Sequence, residues 1–119
     1  MNTGQIANRL AELCRQGQFE TAQKELFADD AVSIEPRATA DFAKETRGLS
    51  AIIEKGHKFD SMVEQLHGCN TSTPLVAGNA IAFTLTLDVT MKGRGRVKME
   101  EICTYEVQDG KIVSEQFFM

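Results

Sequence analysis

The stretch that decides the fold is IAFTLTLDVTM, residues 81–91, in which apolar side chains alternate with polar or small ones without a break. Because successive side chains of a β-strand point to opposite faces, this period of two predicts one long strand with an apolar face and a polar face. The apolar positions are Ile81, Phe83, Leu85, Leu87, Val89 and Met91.

The residues that follow predict two partner strands. Gly93-Arg94-Gly95 turns the chain into a second strand, Val97 to Val107, and Asp109-Gly110 favours a two-residue hairpin before a last strand, Ile112 to Met119. Such a hairpin pairs Val107 with Ile112, Tyr105 with Ser114, Cys103 with Gln116, and Glu101 with Phe118. We expect these residues to face the interior. The opposite face would carry Glu100, Ile102, Thr104, Glu106, Val113, Glu115 and Phe117.

The residues before the sheet predict helices. Apolar residues recur at helical spacing up to Gly17 and again from Phe19 to Phe27. A short strand ends at Pro36, and a long connection, 37–47, is typical of a lid over a site. A third helix is expected with Ser50 as its N-cap and an apolar face that runs to Val63. Helices followed by an antiparallel meander indicate a single α+β domain over residues 1–119.

Composition limits the function classes. The net charge of −4 argues against general nucleic-acid binding. The chain has no apolar run long enough to span a membrane, and its first residues do not resemble a signal peptide. Three cysteines without CxxC spacing argue against a disulfide framework, so we expect a cytoplasmic protein.

Several motifs together resemble the nuclear transport factor 2-like superfamily, and within it the SnoaL-like proteins. They are LFADDAV at 26–32, Glu35-Pro36, GLSAI at 48–52 and YEVQDGKIV at 105–113. The resemblance implies a cystatin-like α+β barrel, in which a cone-shaped, curved antiparallel sheet wraps around the N-terminal helices and encloses a pocket. It also implies a homodimer, for which outward Ile102, Val113 and Phe117 offer an apolar contact surface.

The same resemblance suggests catalytic residues. Ketosteroid isomerases of this superfamily place their basic carboxylate just before a proline after the first strand, where this chain has Glu35. Their protonated oxyanion-binding carboxyl group falls near Glu101. Their oxyanion tyrosine on the first helix is replaced here by Leu10, and the aspartate that SnoaL-like cyclases tend to carry on the last strand is absent from 114–118.

A pair of carboxyl groups can also be assigned a catalytic function on chemical grounds, independently of the resemblance. Proton abstraction beside a carbonyl needs a base near the carbon and a donor near the oxygen, and a desolvated carboxyl group can stay protonated and donate. Glu35 and Glu101 could divide these roles. Alternatively, Glu35 is a solvated acid and Glu101 pairs with Arg47 or Lys98. The expected pocket lining is Leu10, Phe83, Leu85, Cys103, Tyr105, Gln116 and Phe118.

Other reactive residues favour structural roles. Asp88 is expected on a polar stripe with Thr86 and Thr90. His57 and His67 lack metal-ligand spacing, and Cys103 is expected to be an inert thiol, so we predict neither a metal site nor a cofactor. The basic residues around Gly93–Gly95 are expected to form a solvated hairpin tip.

Two functions remain open at this point. One is a cofactor-independent isomerase, cyclase or dehydratase that acts on a small, mostly apolar molecule by carboxylate proton transfer. The other is a non-catalytic ligand-binding or dimerisation module.

Overall fold

The computed structural model describes all residues from Met1 to Met119, and it contains three helices and seven strands in a single sheet. The elements are α1 (Thr3–Arg15), α2 (Phe19–Leu26), β1 (Phe27–Ile34), β2 (Glu45–Arg47), α3 (Leu49–Met62), β3 (Val63–Thr71), β4 (Leu75–Ala77), β5 (Ala80–Met91), β6 (Gly95–Gln108) and β7 (Lys111–Phe118). None of the helices is both long and apolar enough to cross a membrane.

The sheet is curved and unclosed, with strand order β2-β1-β7-β6-β5-β3 and with β4 paired to β5. This confirms the α+β class and the two long central strands. The sheet is not wholly antiparallel as expected, because β1 and β7 are parallel neighbours. The core lies between the helices and one face of the sheet, where Leu10 of α1 and Ile52 of α3 pack with Phe83, Leu85 and Tyr105.

The first two helices begin and end close to the predicted positions. The side chain of Asn2 caps α1 by accepting the N–H of Gln5, whose own side chain accepts the N–H of Asn2. Gly17 then adopts φ 71°, a left-handed conformation that glycine tolerates best, and the helix ends there. Both helices turn apolar residues toward the sheet, which buries Ile6, Leu10, Leu13 and Leu26.

The third helix begins differently from the prediction. Its N-cap is Gly48 rather than Ser50, and no side chain caps it. Gly48 has φ 94°, and its N–H donates to the carbonyl of Ala31 in β1 at 2.8 Å. The preceding connection contains β2, which pairs with β1. The helix ends at Met62, so Val63 belongs to β3.

A β-bulge changes the expected register of the last hairpin. Val107 pairs with Ile112 as predicted, but Glu106 pairs with Ser114, which leaves Val113 as the extra residue in β7. Tyr105 therefore pairs with Glu115 rather than Ser114. Because a shift of one residue exchanges the two faces of a strand, every side chain after the bulge points to the face opposite to the predicted one.

The burial predictions are correct for strands β5 and β6 and wrong for the part of β7 that follows the bulge. Tyr105, Cys103, Phe83 and Leu85 are buried and Glu106 is exposed, as predicted. The prediction for Glu115 was wrong, because this side chain is only 5% exposed. The inward positions expected for Ser114, Gln116 and Phe118 were wrong for the same reason, as was the outward position expected for Phe117.

Replacement of Gly48 by alanine should lower the free energy of unfolding by about 1–3 kcal/mol, because a residue with a Cβ is strained at this φ. Gly56→Ala is the matched control. Gly56 lies in the middle of the same helix, and a Cβ there would meet nothing within 4 Å. The Gly56→Ala change should raise the free energy of unfolding by about 0.5–1 kcal/mol. Urea unfolding followed by circular dichroism would measure both, and a neutral Gly48→Ala variant would contradict the argument.

Candidate active site

A cavity of about 420 Å³ lies between the helices and the inner face of the sheet. Its lining is mostly apolar, with Leu10, Phe27, Ile52, Leu85 and Phe117 among the contributors. The ionisable side chains that line it are Cys14, Glu20, Glu35, Lys55, His57, Asp60, Glu101, Tyr105 and Glu115. An apolar cavity with a few converging polar groups is the usual form of a small-molecule site.

A second depression, of about 510 Å³, lies on the outer face of the sheet. It is bordered by exposed Leu75 and Val76 and by outward residues such as Thr104 and Gln116. Glu106 is the one residue with a charged side chain in its lining. The smaller inner cavity is therefore the better candidate for chemistry, because it brings several ionisable groups together.

Glu35 follows the end of β1 and reaches the inner cavity. The ammonium group of Lys55 donates to its Oε2 at 3.0 Å and to Oγ of Ser33 at 2.6 Å. The side chains of Lys55 and Glu35 are only 18% and 28% exposed. Glu35 is therefore a partly buried carboxylate in an ion pair, and the interpretation of this residue as a merely solvated acid was wrong.

Sequence reasoning missed Lys55. The signal was the helical spacing, because Lys55 lies three residues after Ile52 and four before Phe59, and all of them line the cavity. A lysine on the apolar face of a helix is costly to bury unless it has a partner. Glu35 and Ser33 supply that partnership.

Glu101 lies on β6 and faces the same cavity. Burial raises its pKa to about 7, and repulsion from Glu35 adds to the effect. The thiol of Cys103 lies 3.8 Å from its Oε1. The basic partners considered for it have other positions, since Arg47 forms an ion pair with Glu45 and exposed Lys98 pairs in register with Asp88. Near neutral pH this carboxyl group can therefore hold a proton and donate it.

Glu115 also lines the cavity, and it is the other residue that the sequence did not reveal. It lies directly opposite Ser33 in the parallel pairing of β1 with β7. Burial raises its pKa to about 7, against the attraction of Lys55. The bulge at Val113 brings it inside.

The structure separates the expected pocket residues into groups. Leu10, Leu85 and Tyr105 line the cavity. Phe83 and Cys103 belong to the buried core instead, where the ring of Phe83 stacks on Tyr105 at 5.4 Å. Gln116 and Phe118 lie on the outer face because of the bulge, and Glu115 and Phe117 take their inner positions.

The remaining reactive residues have structural partners. Asp88 forms two hydrogen bonds with Arg96, at 2.9 and 3.0 Å. His57 of α3 contacts Glu20 of α2, which raises the pKa of the histidine. His67 lies 2.6 Å from Oγ1 of Thr90. No three His, Cys, Asp or Glu side chains are grouped closely enough to hold a metal ion.

Comparison with known proteins assigns the family. The model of the SnoaL-like domain matches residues 1–119. The chain belongs to the SnoaL-like family. No curated protein matches the sequence significantly.

Solved structures have the same fold. A candidate SnoaL-like polyketide cyclase from Mesorhizobium loti, whose name also includes carbohydrate phosphatase, is 32% identical over 100% of both chains, with a TM-score of 0.89. A candidate polyketide cyclase from Streptomyces antibioticus is 18% identical over 99% of this chain and 91% of its own, with a TM-score of 0.74. A ketosteroid isomerase-like protein from Catenulispora acidiphila is 17% identical over 99% and 87%, with a TM-score of 0.71. The latter two show the fold alone.

The buried carboxyl groups should make stability depend on pH. From about pH 4.5 to 7, folded Glu115 keeps a proton that the unfolded chain releases, so the free energy of unfolding falls as the pH rises through this window. The contribution of Glu115 is at most about 3.5 kcal/mol, at about 1.4 kcal/mol per pKa unit. Glu115→Gln should flatten the slope and raise stability at pH 8.

Urea unfolding at a series of pH values would measure this effect, with Glu106→Gln on the exposed face of the neighbouring strand as the control. An unchanged pH slope in the Glu115→Gln variant would show that this carboxyl group does not titrate abnormally in the folded chain.

Proposed function

We propose that this protein is a cofactor-independent proton-transfer catalyst, of the isomerase, cyclase or dehydratase type, for a small and mostly apolar carbonyl compound. One observation carries the proposal. Glu35 and Glu101 line one apolar cavity in different environments, the first in an ion pair and the second desolvated with a pKa of about 7. Environments that differ in this way separate a base from an acid.

In this proposal Glu35 removes a proton from the carbon beside the carbonyl group. Glu101, protonated, donates a hydrogen bond to the carbonyl oxygen as negative charge develops there. The apolar walls exclude water, which strengthens both interactions. Membership of the SnoaL-like family, with its cyclase-named relative, supports this class of chemistry.

Hydrogen–deuterium exchange would test the proposal before the natural substrate is known. Exchange of the protons beside the carbonyl group would be followed by NMR in D₂O for a panel of apolar cyclic ketones. Glu35→Gln keeps the shape of the side chain but removes the base, and it should slow exchange by about two to four orders of magnitude. Glu101→Gln should slow exchange less than Glu35→Gln does, because the amide of glutamine can still donate a hydrogen bond to the carbonyl oxygen.

Glu45→Gln, on exposed β2, is the matched control and should exchange at the wild-type rate. If Glu35→Gln exchanges as fast as the wild type, Glu35 is not the base. A ketone that binds in the cavity without any exchange above the buffer rate would favour the alternative function, a ligand-binding module.

We also propose a homodimer formed through the outer face of the sheet. Leu75, Ile102 and Phe118 are 74%, 49% and 48% exposed, and Ile102 and Phe118 are direct partners in the β6–β7 pair. Phe117, expected in this surface, lies inside, and Phe118 takes its place. A second copy of the chain would cover this apolar area.

Light scattering should therefore give twice the chain mass of 13.1 kDa at micromolar concentration. Ile102→Lys should shift the protein toward the monomer, because it places a charge in the contact. Gln16→Lys, an exposed change at the end of α1, should not. A wild-type mass equal to one chain would rule the dimer out.

A cytoplasmic location remains part of the proposal. The cysteines Cys14, Cys69 and Cys103 are all unpaired thiols, which suits a reducing compartment. The thiol of Cys69 donates to the carbonyl oxygen of Cys14 at 2.8 Å rather than forming a disulfide.

A further inference from the structure

The ammonium group of Lys55 donates two hydrogen bonds to the protein, which leaves one N–H donor free inside the cavity. A lysine ammonium carries three N–H donors. Ser33 and Glu35 accept two of them, at 2.6 and 3.0 Å. Lys55 lines the cavity, so its remaining donor is available to a bound molecule.

The position of the ammonium group is fixed by its neighbours. The hydroxyl oxygen of Ser33, a fully buried side chain of β1, accepts a hydrogen bond from Nζ at 2.6 Å. The ring of Phe117 lies 5.7 Å from Nζ and also lines the cavity. Ser33 therefore acts as a positioning residue for Lys55.

We infer that Lys55 is the cation that stabilises the enolate oxygen of the substrate, and that the substrate enters the cavity as a neutral carbonyl compound. This inference rests on the proposed function. It gives a catalytic role to a residue that the carboxylate pair does not include.

The charges balance along the reaction. The C–H bond beside the carbonyl group breaks, its proton passes to the carboxylate of Glu35, and the electron pair moves through the new C=C bond to the carbonyl oxygen. The cavity keeps the same net charge, because one negative charge moves from Glu35 to the enolate oxygen. Lys55 pairs with Glu35 before the step and with the enolate oxygen after it.

The charges already present argue for a neutral substrate rather than a permanent anion. Five carboxyl side chains line the cavity, against one lysine and one histidine: Glu20, Glu35, Asp60, Glu101 and Glu115. Repulsion among these carboxylates already adds to the raised pKa values of Glu101 and Glu115. An anion that arrives from water would meet this repulsion, whereas an enolate forms only when Glu35 has become neutral.

4-Nitrophenol is a suitable probe, because its phenolate is a planar oxyanion similar to an enolate and absorbs at a longer wavelength than the neutral phenol. 4-Nitroanisole, its methyl ether, cannot ionise and reports on the apolar walls alone. Absorbance titrations would give the affinity for each probe and the pKa of the bound phenol.

Glu35→Gln imitates the neutral base that is present beside an enolate. It should therefore bind 4-nitrophenolate more tightly than the wild type, by about tenfold or more, because a like charge is removed. In the double variant Glu35→Gln, Lys55→Met this gain should be lost, and the pKa of the bound phenol should rise by roughly one to three units. Affinity for 4-nitroanisole should change little in either variant.

The double variant removes both members of the ion pair, so neither member is left as an unpaired charge that would destabilise the fold. Lys98→Met, on the exposed part of β6, is the matched control for loss of a lysine and should bind both probes as the wild type does. If the double variant binds 4-nitrophenolate as tightly as Glu35→Gln alone, Lys55 does not contact the oxyanion and the inference is overturned. It is also overturned if Glu35→Gln prefers 4-nitroanisole or binds neither probe.

The two proposals can fail separately. If phenolate binding depends on Lys55 but the wild type exchanges no ketone protons, the catalytic function is ruled out and the oxyanion site is retained. If ketone exchange requires Glu35 but phenolate binding is unchanged by the loss of Lys55, only the inference about Lys55 is ruled out.

Discussion

The ion pair between Lys55 and Glu35 joins α3 to the end of β1, and the charge balance of the whole cavity depends on it. The attraction of Lys55 works against the burial that raises the pKa values of Glu101 and Glu115. Without the ammonium group, Glu35 would be a partly buried charge with no compensation, which is strongly destabilising. The same helix is also tied to β1 at its start, where the N–H of Gly48 donates to Ala31. The position of Lys55 is thus set by the strand whose carboxylate it neutralises.

The bulge at Val113 provides the second constraint. β7 runs parallel to β1, and the register between the two strands determines which side chain of β7 lies opposite Ser33. The extra residue makes that side chain Glu115 rather than Ser114. A regular hairpin would have left Ser33 without its acidic partner and would have turned Gln116 and Phe118 into the cavity. The local irregularity therefore places Glu115 opposite Ser33, the residue that accepts a hydrogen bond from Lys55.

Sequence patterns predicted the parts of the site that depend on regular geometry. Glu101 faces inward because it lies an even number of residues from Tyr105 on an uninterrupted strand, and period two is sufficient to place it. The pattern could not locate the bulge, because Phe117 and Phe118 are adjacent and either register buries one phenylalanine. Gly48 was missed as the N-cap because its left-handed backbone, and not a side-chain oxygen, starts the helix. Lys55 was missed because a lysine is normally assigned to solvent, although its spacing from Ile52 and Phe59 places it on the apolar face of the helix.

The buried charges bear on the choice between a catalyst and a binding module. A cavity that only holds an apolar molecule is best lined by apolar side chains, since each desolvated carboxyl group costs stability near neutral pH. This cavity instead has five carboxyl side chains in its lining, Glu35, Glu101 and Glu115 among them, and a single lysine. Positions that break the rules of burial in an otherwise regular fold are expected at functional sites. Because the carboxyl groups also differ in environment, one in an ion pair and two desolvated, they offer both a base and an acid, and simple binding has no use for that difference.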